Sequence, residues 1–294
     1  RGLIARIPNH PFYGWGRLYR IAAEGGGMSL YQALWYFCIY AFLGWVVEVV
    51  FHALKLGKII NRGFLNGPVC PIYGFGMLAI CLLMNRLAPG QEETVGLPGL
   101  LAVGMAFATT IELIGGWLLN TFFHARWWDY SEEPFQFHGY ICLRFSVLWG
   151  LGTVFMIRIV HPIVRGYVGL IPFVLGRWVL VFLYLTLLVD FVSSVMTAHK
   201  LSRELGELGK ISERIRAVSD LLSQRIGEDS IRASEELTRQ RAAAEQRFAR
   251  LQKRAEHTKF FGTGRLLNAF PSLRPNGHAE LLEELRERLK GKNH

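Results

Sequence analysis

The chain has 294 residues, of which 51% are hydrophobic, and it carries a formal net charge of +10. The apolar share exceeds that of an ordinary soluble domain, and the excess lies before residue 199. This distribution argues against a soluble globular protein and favours a membrane protein.

Residues 1–27 contain scattered apolar residues between prolines and arginines, and they lack the continuous apolar core of a secretory signal. We expect a loosely ordered or interfacial leader over this segment. The transmembrane domain then extends over 28–198.

Four apolar runs are long enough to cross a bilayer as helices, which takes about 20 residues. A fifth run, 70–87, is shorter and interrupted by glycine and proline, but its stretch 75–84 has no charge, so we predict that it also spans. The sequence therefore predicts an all-α polytopic membrane helix bundle with about five transmembrane helices. The four long runs are 30–53, 99–124, 142–161 and 172–198.

The decapeptide GWVVEVVFHA at 44–53 returns as GWLLNTFFHA at 116–125, and the same shift aligns Gly67 with Gly139 and Cys70 with Cys142. We predict two tandem helix-loop-helix repeats, over about 30–87 and 99–161, that enter the membrane in the same direction. Chance similarity between apolar helices is the alternative explanation. The fifth span, 172–198, lies outside the repeat.

Each decapeptide has a polar residue one helical turn before a histidine. Glu48 and His52 are therefore predicted to share one helix face, as are Asn120 and His124. A polar face of this kind favours contact with protein over contact with lipid. An interfacial belt of histidine and tryptophan at the helix end is equally compatible with the pattern.

Small residues lie one further turn up the same faces, where they would let a neighbouring segment approach closely. The decapeptide motif comprises Gly44, Trp45, Gly116 and Trp117.

Carboxylates inside the spans are costly, at roughly 2.5–3.5 kcal/mol for a charge at the bilayer centre, and they normally face a bundle interior or a cavity. Glu112 lies in the middle of a span, Asp190 lies in the fifth span, and Glu48 lies nearer a helix end. We expect Arg144 to be the cation best placed to pair with one of them. Either these groups only fix helix packing or they line a substrate, ion or proton path.

The segment 61–76, NRGFLNGPVCPIYGFG, is the most irregular part of the membrane half, and it cannot be an unbroken helix. Irregular backbone at membrane depth is tolerated where it is buried in protein or lines a cavity, so this segment is a candidate ligand surface. A tight turn at the membrane surface is the competing interpretation. Its motif residues are Arg62, Gly63, Gly67, Pro68 and Pro71.

The corresponding segment of the second repeat contains WWDYS at 127–131. Trp128 and its aromatic neighbours suit the headgroup layer. Asp129 and Ser131 are expected to cap a short helix at its N-terminus.

Familiar catalytic and nucleotide-binding patterns are absent from the sequence: it contains no Walker A pattern, HExxH, GxSxG or GxGxxG. We therefore predict neither an enzyme nor a cofactor. Glu48 with His52, and His124 with His138, offer only a weak metal-ligand spacing, so no metal site is predicted.

Residues 199–258 are predicted to form an amphipathic helical tail, because apolar residues from Leu201 to Ile226 alternate in steps of three and four. Residues 259–294 are predicted to form a linker and a short C-terminal helix. We expect a solvated basic tail that dimerises or lies on lipid, and no nucleic-acid binding, because no aromatic platform accompanies its basic residues. Its Lys and Arg content places the C-terminus in the cytoplasm.

The motifs FLGWVVEVVFH, NRGFLNGPVCPIYGFG, IELIGGWLL, WWDYS and GYICLRFSVLWG together resemble the type IV ABC-transporter permease family of bacterial integral membrane proteins. The resemblance covers about 30–160. It departs after WDYS, where Gln136 and His138 stand in place of an expected asparagine. The resemblance implies a transport subunit that works with a separate ATPase, and it assigns no catalytic residue.

We therefore expect a permease-like protein of the bacterial inner membrane, with membrane lipid and a cytoplasmic ATPase as partners and self-association through the tail. The alternative is a non-catalytic membrane scaffold or regulator whose basic tail recruits partners. The candidate residues of the substrate or ion path are Glu48, His52, Asn66, Glu112, Asn120, Arg144 and Asp190.

Overall fold

The computed structural model describes residues 28–57, 59–88, 95–224, 229–258, 262–276 and 279–291. The leader predicted at 1–27 lies outside the described residues. The described chain is almost entirely helical, and its strands are only two residues long. The predicted all-α membrane helix bundle is confirmed.

The membrane half contains two helix-loop-helix pairs in chain order, followed by one much longer helix. Their bounds are α1 Leu30–Leu56, α2 Pro71–Leu87, α3 Leu97–Phe123, α4 Leu143–Phe155, α5 His161–Leu170 and α6 Phe173–Gln224.

In the described part of the chain, four stretches of helix are long and apolar enough to cross a membrane: Leu30–Leu54, Leu97–Phe123, Leu143–Leu170 and Phe173–Ala217. α2 is shorter, with 17 residues, or about 26 Å at 1.5 Å per residue. This length is close to the roughly 30 Å of a hydrocarbon core.

The fourth span continues beyond its predicted end at 161. A π-helical turn, Met156–Val160, joins α4 to α5, and the His161 amide donates to the Met156 carbonyl, five residues back. Pro162 lies in the first turn of α5, where a missing N–H costs little. The helical path therefore runs from Leu143 to Leu170.

The predicted fifth span and the first part of the predicted tail are one helix. α6 has 52 residues, or roughly 78 Å, more than twice the thickness of a hydrocarbon core. No proline interrupts it, and its glycines alone do not stop a helix. The change from apolar to charged composition near residue 199 therefore falls inside the single helix α6, where the helix leaves its apolar surroundings.

The described residues form two compact units, and the first comprises those from Met28 to Gly44, Pro71–Ile111 and Arg144–Thr186. Its core is built from large side chains on several spans: Tyr36, Tyr40, Met77, Met84, Leu100 and Ile157. Close helix contacts depend on glycine here, since a Cβ added at Gly44 would lie 2.3 Å from the Tyr73 Cβ.

The second unit comprises Trp45–Cys70, Glu112–Leu143 and Leu187–His294. Its tail forms three further helices, α7 Asp229–His257, α8 Thr263–Ala269 and α9 Ala279–Gly291. Their apolar faces share a core with the loop that follows α3. The core side chains include Trp127, Leu205, Phe248, Leu266, Leu273 and Leu285.

Two short antiparallel strand pairs complete the second unit. β1 Ala125–Arg126 pairs with β4 Arg274–Pro275, so the tail adds a strand to the loop after α3. β2 Gln136–Phe137 pairs with β3 Ile141–Cys142 as a hairpin within that loop.

The expectation of a solvated tail is wrong, because tail residues from Leu201 onward enter a core. The apolar stripe of the amphipathic helix begins with Leu201, Leu205 and Leu208, and all three are buried in the core of the second unit. The predicted linker region contains α8 and β4, because its apolar residues Leu266 and Leu267 have a core to enter. Self-association through the remaining tail surface stays a prediction.

Candidate functional site

The loop between α1 and α2 is held by a partly buried polar network in the second unit. Its backbone is non-helical until Pro71 begins α2, as its glycine and proline content predicted. We call five residues of this network the loop clamp: Asn66, Gly67, Asp190, Ser194 and Arg265.

The Asp190 carboxylate binds the amide side of the loop. Its Oδ1 accepts hydrogen bonds from the Asn66 amide at 2.9 Å and from Asn66 Nδ2 at 2.8 Å. Its Oδ2 accepts from the Gly67 amide at 2.7 Å. The Ser194 hydroxyl, one turn along α6, donates to Oδ1 at 3.2 Å. The charge on the apolar helix is therefore stabilised by several donors, as a partly buried carboxylate requires.

A glycine at position 67 permits this approach. A Cβ at Gly67 would lie 3.1 Å from Asp190 Oδ2. The loop can thus present its amide directly to the carboxylate.

Arg265, in α8, binds the carbonyl side of the same loop. Its side chain is 3% exposed. Nη1 donates to the Gly63 carbonyl at 2.8 Å, Nη2 to the Phe64 carbonyl at 2.7 Å, and Nε to Asn66 Oδ1 at 3.0 Å. Burial lowers the pKa of Arg265 to about 10, although the negative charge of Asp190 opposes this shift. A guanidinium retains its proton at neutral pH even so.

The start of the loop is fixed to α1. Trp45 Nε1 donates to Asn61 Oδ1 at 2.8 Å, and Asn61 Nδ2 donates to the Asn66 carbonyl at 2.7 Å. The tryptophan of the first decapeptide therefore orients an amide that closes the loop on itself, and its role is local positioning.

Arg62 lies in the same loop with its guanidinium partly desolvated. Nε and Nη1 are buried without a hydrogen-bond partner among the described residues. The Cζ atom lies 5.9 Å from the centroid of the Phe270 ring, a cation–π distance. Burial lowers the pKa of Arg62, and the Glu48 charge acts in the opposite direction.

The polar pair of the first decapeptide shares a helix face as predicted. His52 Nδ1 lies 3.3 Å from Glu48 Oε2 and 2.9 Å from the Glu48 carbonyl oxygen. Both side chains are half-buried.

The polar pair of the second decapeptide is split, which corrects the expectation of a shared helix face. α3 ends at Phe123, and His124 is exposed with φ 48°. Asn120 Oδ1 accepts a hydrogen bond from Asn276 Nδ2 at 3.1 Å, and the His124 carbonyl accepts from the Asn276 amide at 2.9 Å. The end of α3 is thus bound by the tail.

Glu112 is the most buried of the candidate carboxylates that we single out, at 7% exposure. It accepts a hydrogen bond of 3.0 Å from the Tyr130 hydroxyl. Burial raises the pKa of Tyr130, and the neighbouring Glu112 charge raises it further. Arg144, the predicted cation, is exposed, with its Cζ atom 5.8 Å from the centroid of the Phe145 ring.

Asp129 forms hydrogen bonds within the loop after α3. The helix cap that we expected at this position is not formed. Asp129 Oδ1 accepts from the Ser131 amide at 3.0 Å and from the Ser131 hydroxyl at 2.5 Å, and turns follow. Arg126 and Arg274 lie 3.6 and 3.5 Å from its carboxylate. Burial alone would raise the pKa of Asp129, but the Ser131 hydrogen bonds and the two arginines lower it overall.

The motif residues of this loop fit tightly together. Trp128 Nε1 donates to the Tyr140 carbonyl at 2.9 Å. Gly116 packs against the Tyr140 and Trp128 rings, as Gly44 packs against Tyr73 in the first unit. Both decapeptide glycines therefore allow close contact with a tyrosine, whereas Trp117 is exposed at 55%.

Two buried groups, Arg265 and His161, lie outside the set of residues predicted from the sequence. Arg265 was overlooked because nothing local marks its partner 199 residues earlier. In the first unit, His161 is 2% exposed, with Nδ1 2.5 Å from the Tyr40 hydroxyl and 3.6 Å from Cys81 Sγ. A charged or imidazole side chain within an otherwise apolar stretch was the available signal for both. Within the described ranges, no group of three His, Cys, Asp or Glu side chains is placed to hold a metal.

The long apolar helices, together with the buried polar groups between them, define a multi-pass membrane protein. The model of the family described as "Putative ABC-transporter type IV" matches residues 35–195, more than half of the chain. The chain belongs to this family. Neither a curated protein nor a solved structure matches the chain significantly.

Proposed function

We propose that the protein is the membrane-spanning component of a transporter of the bacterial inner membrane, working with a separate ATPase, and that the loop clamp is part of its polar site. Family membership supports the transport role. The match includes Asn66 and Asp190 and ends before Arg265. Two residues of the family-matched region and one tail residue therefore bind at the same loop.

The observation that carries this proposal is the bonding of Asp190. A carboxylate on an apolar helix is costly to retain. This one binds the irregular backbone of Asn66 and Gly67, the kind of backbone that membrane proteins use around a polar path. Opening of the clamp would expose both a carboxylate and loop amides to a passing solute.

The tail supplies a route by which an ATPase could act on this site. Arg265 binds the loop after α1, and β4 pairs with β1 in the loop after α3. A displacement of the segment 262–276 would therefore reach Asp190 through Arg265 and Asn66. We expect the ATPase to act through the tail and these two loops.

The same contacts support a topology of five spans. Because one tail segment contacts both loops, the loops and the tail lie on one side of the membrane. α3 must then return to that side from the other, which requires α2 to cross despite its shorter length. The Lys and Arg content of the tail favours the cytoplasm for that side.

Co-purification tests the partnership. The tagged full chain is extracted from its native membrane in a mild detergent, and the eluate is assayed for a copurifying ATPase by mass spectrometry and ATP hydrolysis. Phe135→Ser with Phe137→Ser alters two aromatic residues of the loop after α3, which are 83% and 54% exposed. This double variant should remove the ATPase from the eluate. Glu132→Gln, an exposed neighbour, is the matched control.

A wild-type chain that transports in the absence of any ATPase would overturn the proposal. Equal ATPase recovery with the wild type and the double variant would show that the loop after α3 does not bind the ATPase.

A membrane scaffold or regulator is the second candidate, and the folded tail favours it. The charged helices α7 and α9 share the core of the second unit with the loop after α3, and their polar faces are exposed. In this case the buried carboxylates only fix packing, so neutralising Glu112 should leave function intact.

A further inference from the structure

A cavity with basic side chains lies beside α6 in the second unit, just after its apolar stretch ends. Its volume is about 470 Å³. Phe122 and His124 line it from the end of α3, His199, Arg203 and Lys210 from α6, and Asn276 from the tail. We call it the basic cavity.

An apolar groove follows α6 from the membrane side toward this cavity. It has a volume of about 420 Å³ and is lined by Val189, Val192, Met196 and Lys200, among others. Val189 and Met196 are 71% and 67% exposed, as lipid-facing side chains are. Met196, Lys200 and Arg203 follow at steps of four and three, so the groove and the cavity are joined along one helix face.

The positive charge of this face is only partly neutralised. Arg203 Nε lies 3.0 Å from Glu207 Oε1, and Glu207 also binds Arg247 at 3.2 Å. Lys200 and Lys210 form no ion pair within the described ranges, and their ammonium groups are available to an anion.

We propose that the groove and the basic cavity together bind one acidic phospholipid. One acyl chain lies along Val189, Val192 and Met196, and the phosphate lies between Lys200 and Lys210, which are separated by about 15 Å along α6. The apolar groove distinguishes this ligand from a free anion, which would gain nothing from Val189 or Met196. The two lysines distinguish it from a zwitterionic lipid, whose headgroup has no net charge to neutralise.

The position of the site at the end of a span agrees with this ligand. Cationic residues next to a membrane segment attract anionic lipid, at about 1 kcal/mol for each residue near the surface, or roughly fivefold in affinity. Their effect falls with distance within a Debye length. The proposal does not depend on the transport role.

Native mass spectrometry of the purified full chain provides the test. The protein is incubated in micelles with equal amounts of dioleoyl-phosphatidylglycerol and dioleoyl-phosphatidylcholine, and bound lipids are counted after the detergent is removed. We expect the wild type to retain phosphatidylglycerol preferentially. Lys200→Gln with Lys210→Gln should lower the apparent affinity for it by roughly tenfold or more.

Arg239→Gln with Lys253→Gln is the matched control, because it removes the same charge from exposed positions of α7. This variant should change the affinity by less than about twofold. Thermal unfolding of all three proteins checks that they are equally folded.

The proposal is overturned if the wild type retains both lipids equally, or if both double variants lose phosphatidylglycerol to the same extent. A second arm adds inorganic phosphate at 100-fold excess over lipid. Retention of phosphatidylglycerol supports a lipid site, and its complete displacement would identify a free-anion site.

Discussion

Asp190 and Arg265 bind opposite ends of one amide side chain, that of Asn66. The carboxylate accepts from Asn66 Nδ2 at 2.8 Å, and the guanidinium donates to Asn66 Oδ1 at 3.0 Å. The two charged groups also bind different backbone groups of the loop: Asp190 accepts from its amides, and Arg265 donates to its carbonyls. A transmembrane helix and a tail helix thus fix the same irregular segment.

Arg265→Met should destabilise the folded chain by about 3 kcal/mol or more, because buried loop carbonyls lose their donors and Asp190 loses its neighbouring positive charge. Thermal unfolding in detergent measures the change. Arg239→Met is the control, since Arg239 is exposed and forms no ion pair with any described residue. Equal melting temperatures for the two variants would show that Arg265 does not hold the loop.

Glu112→Gln should preserve the folded state to within about 1 kcal/mol, because the amide oxygen can still accept from the Tyr130 hydroxyl. If Glu112 belongs to the transport path, uptake or export should fall nonetheless. The measurement is transport by cells alongside unfolding of the purified chain. Tyr130→Phe is the companion variant, since it removes the hydrogen bond and keeps the carboxylate. Unchanged transport with Glu112→Gln would favour the scaffold role.

Gly44→Ala should destabilise the protein by about 1–3 kcal/mol, because its methyl group would lie 2.3 Å from the Tyr73 side chain. Gly152→Ala is the matched control, since it lies in α4 and a Cβ there meets nothing within 4 Å. The control should be neutral or more stable by roughly 0.5–1 kcal/mol, as expected for alanine in a helix. A comparison of melting temperatures decides between these outcomes.

Asp129 should make part of the stability depend on pH. Its pKa is below the ordinary aspartate value in the folded chain, so its contribution is present above the unfolded pKa. The contribution is lost as pH falls through the folded pKa, below about 4. Asp129→Asn should therefore reduce stability at pH 7 by about 1 kcal/mol and flatten the decline on acidification. Parallel pH profiles for the wild type and the variant would contradict this assignment.

Local signals in the sequence predicted the spans but not the clamp. Hydropathy placed α1, α3 and α6 because the bilayer requires continuous apolar length, and glycine with proline predicted the irregular loop. Asp190 was selected for its cost in a membrane and Asn66 as a candidate path residue, yet their contact joins positions 124 residues apart. No local pattern encodes such a pairing. The repeat predicted a shared face for Asn120 and His124, but helix α3 ends one residue too early.

The tail shows why the remaining prediction failed. In TGRLLNAF at 263–270, glycine and the nearby prolines indicated a linker, whereas the leucines and Arg265 are buried against the loops. Whether such a segment is solvated or packed depends on the presence of a complementary surface. That surface is formed by Phe64 and Trp127, which lie far away in the sequence.

A double-mutant cycle on Asp190 and Arg265 tests the loop clamp most directly. Asp190→Asn, Arg265→Met and the double variant are compared with the wild type by their free energies of unfolding in one detergent. Since both side chains act on Asn66, we predict a coupling energy of at least about 1 kcal/mol. Effects that add to within about 0.5 kcal/mol would show that the two residues act independently, and would contradict the clamp.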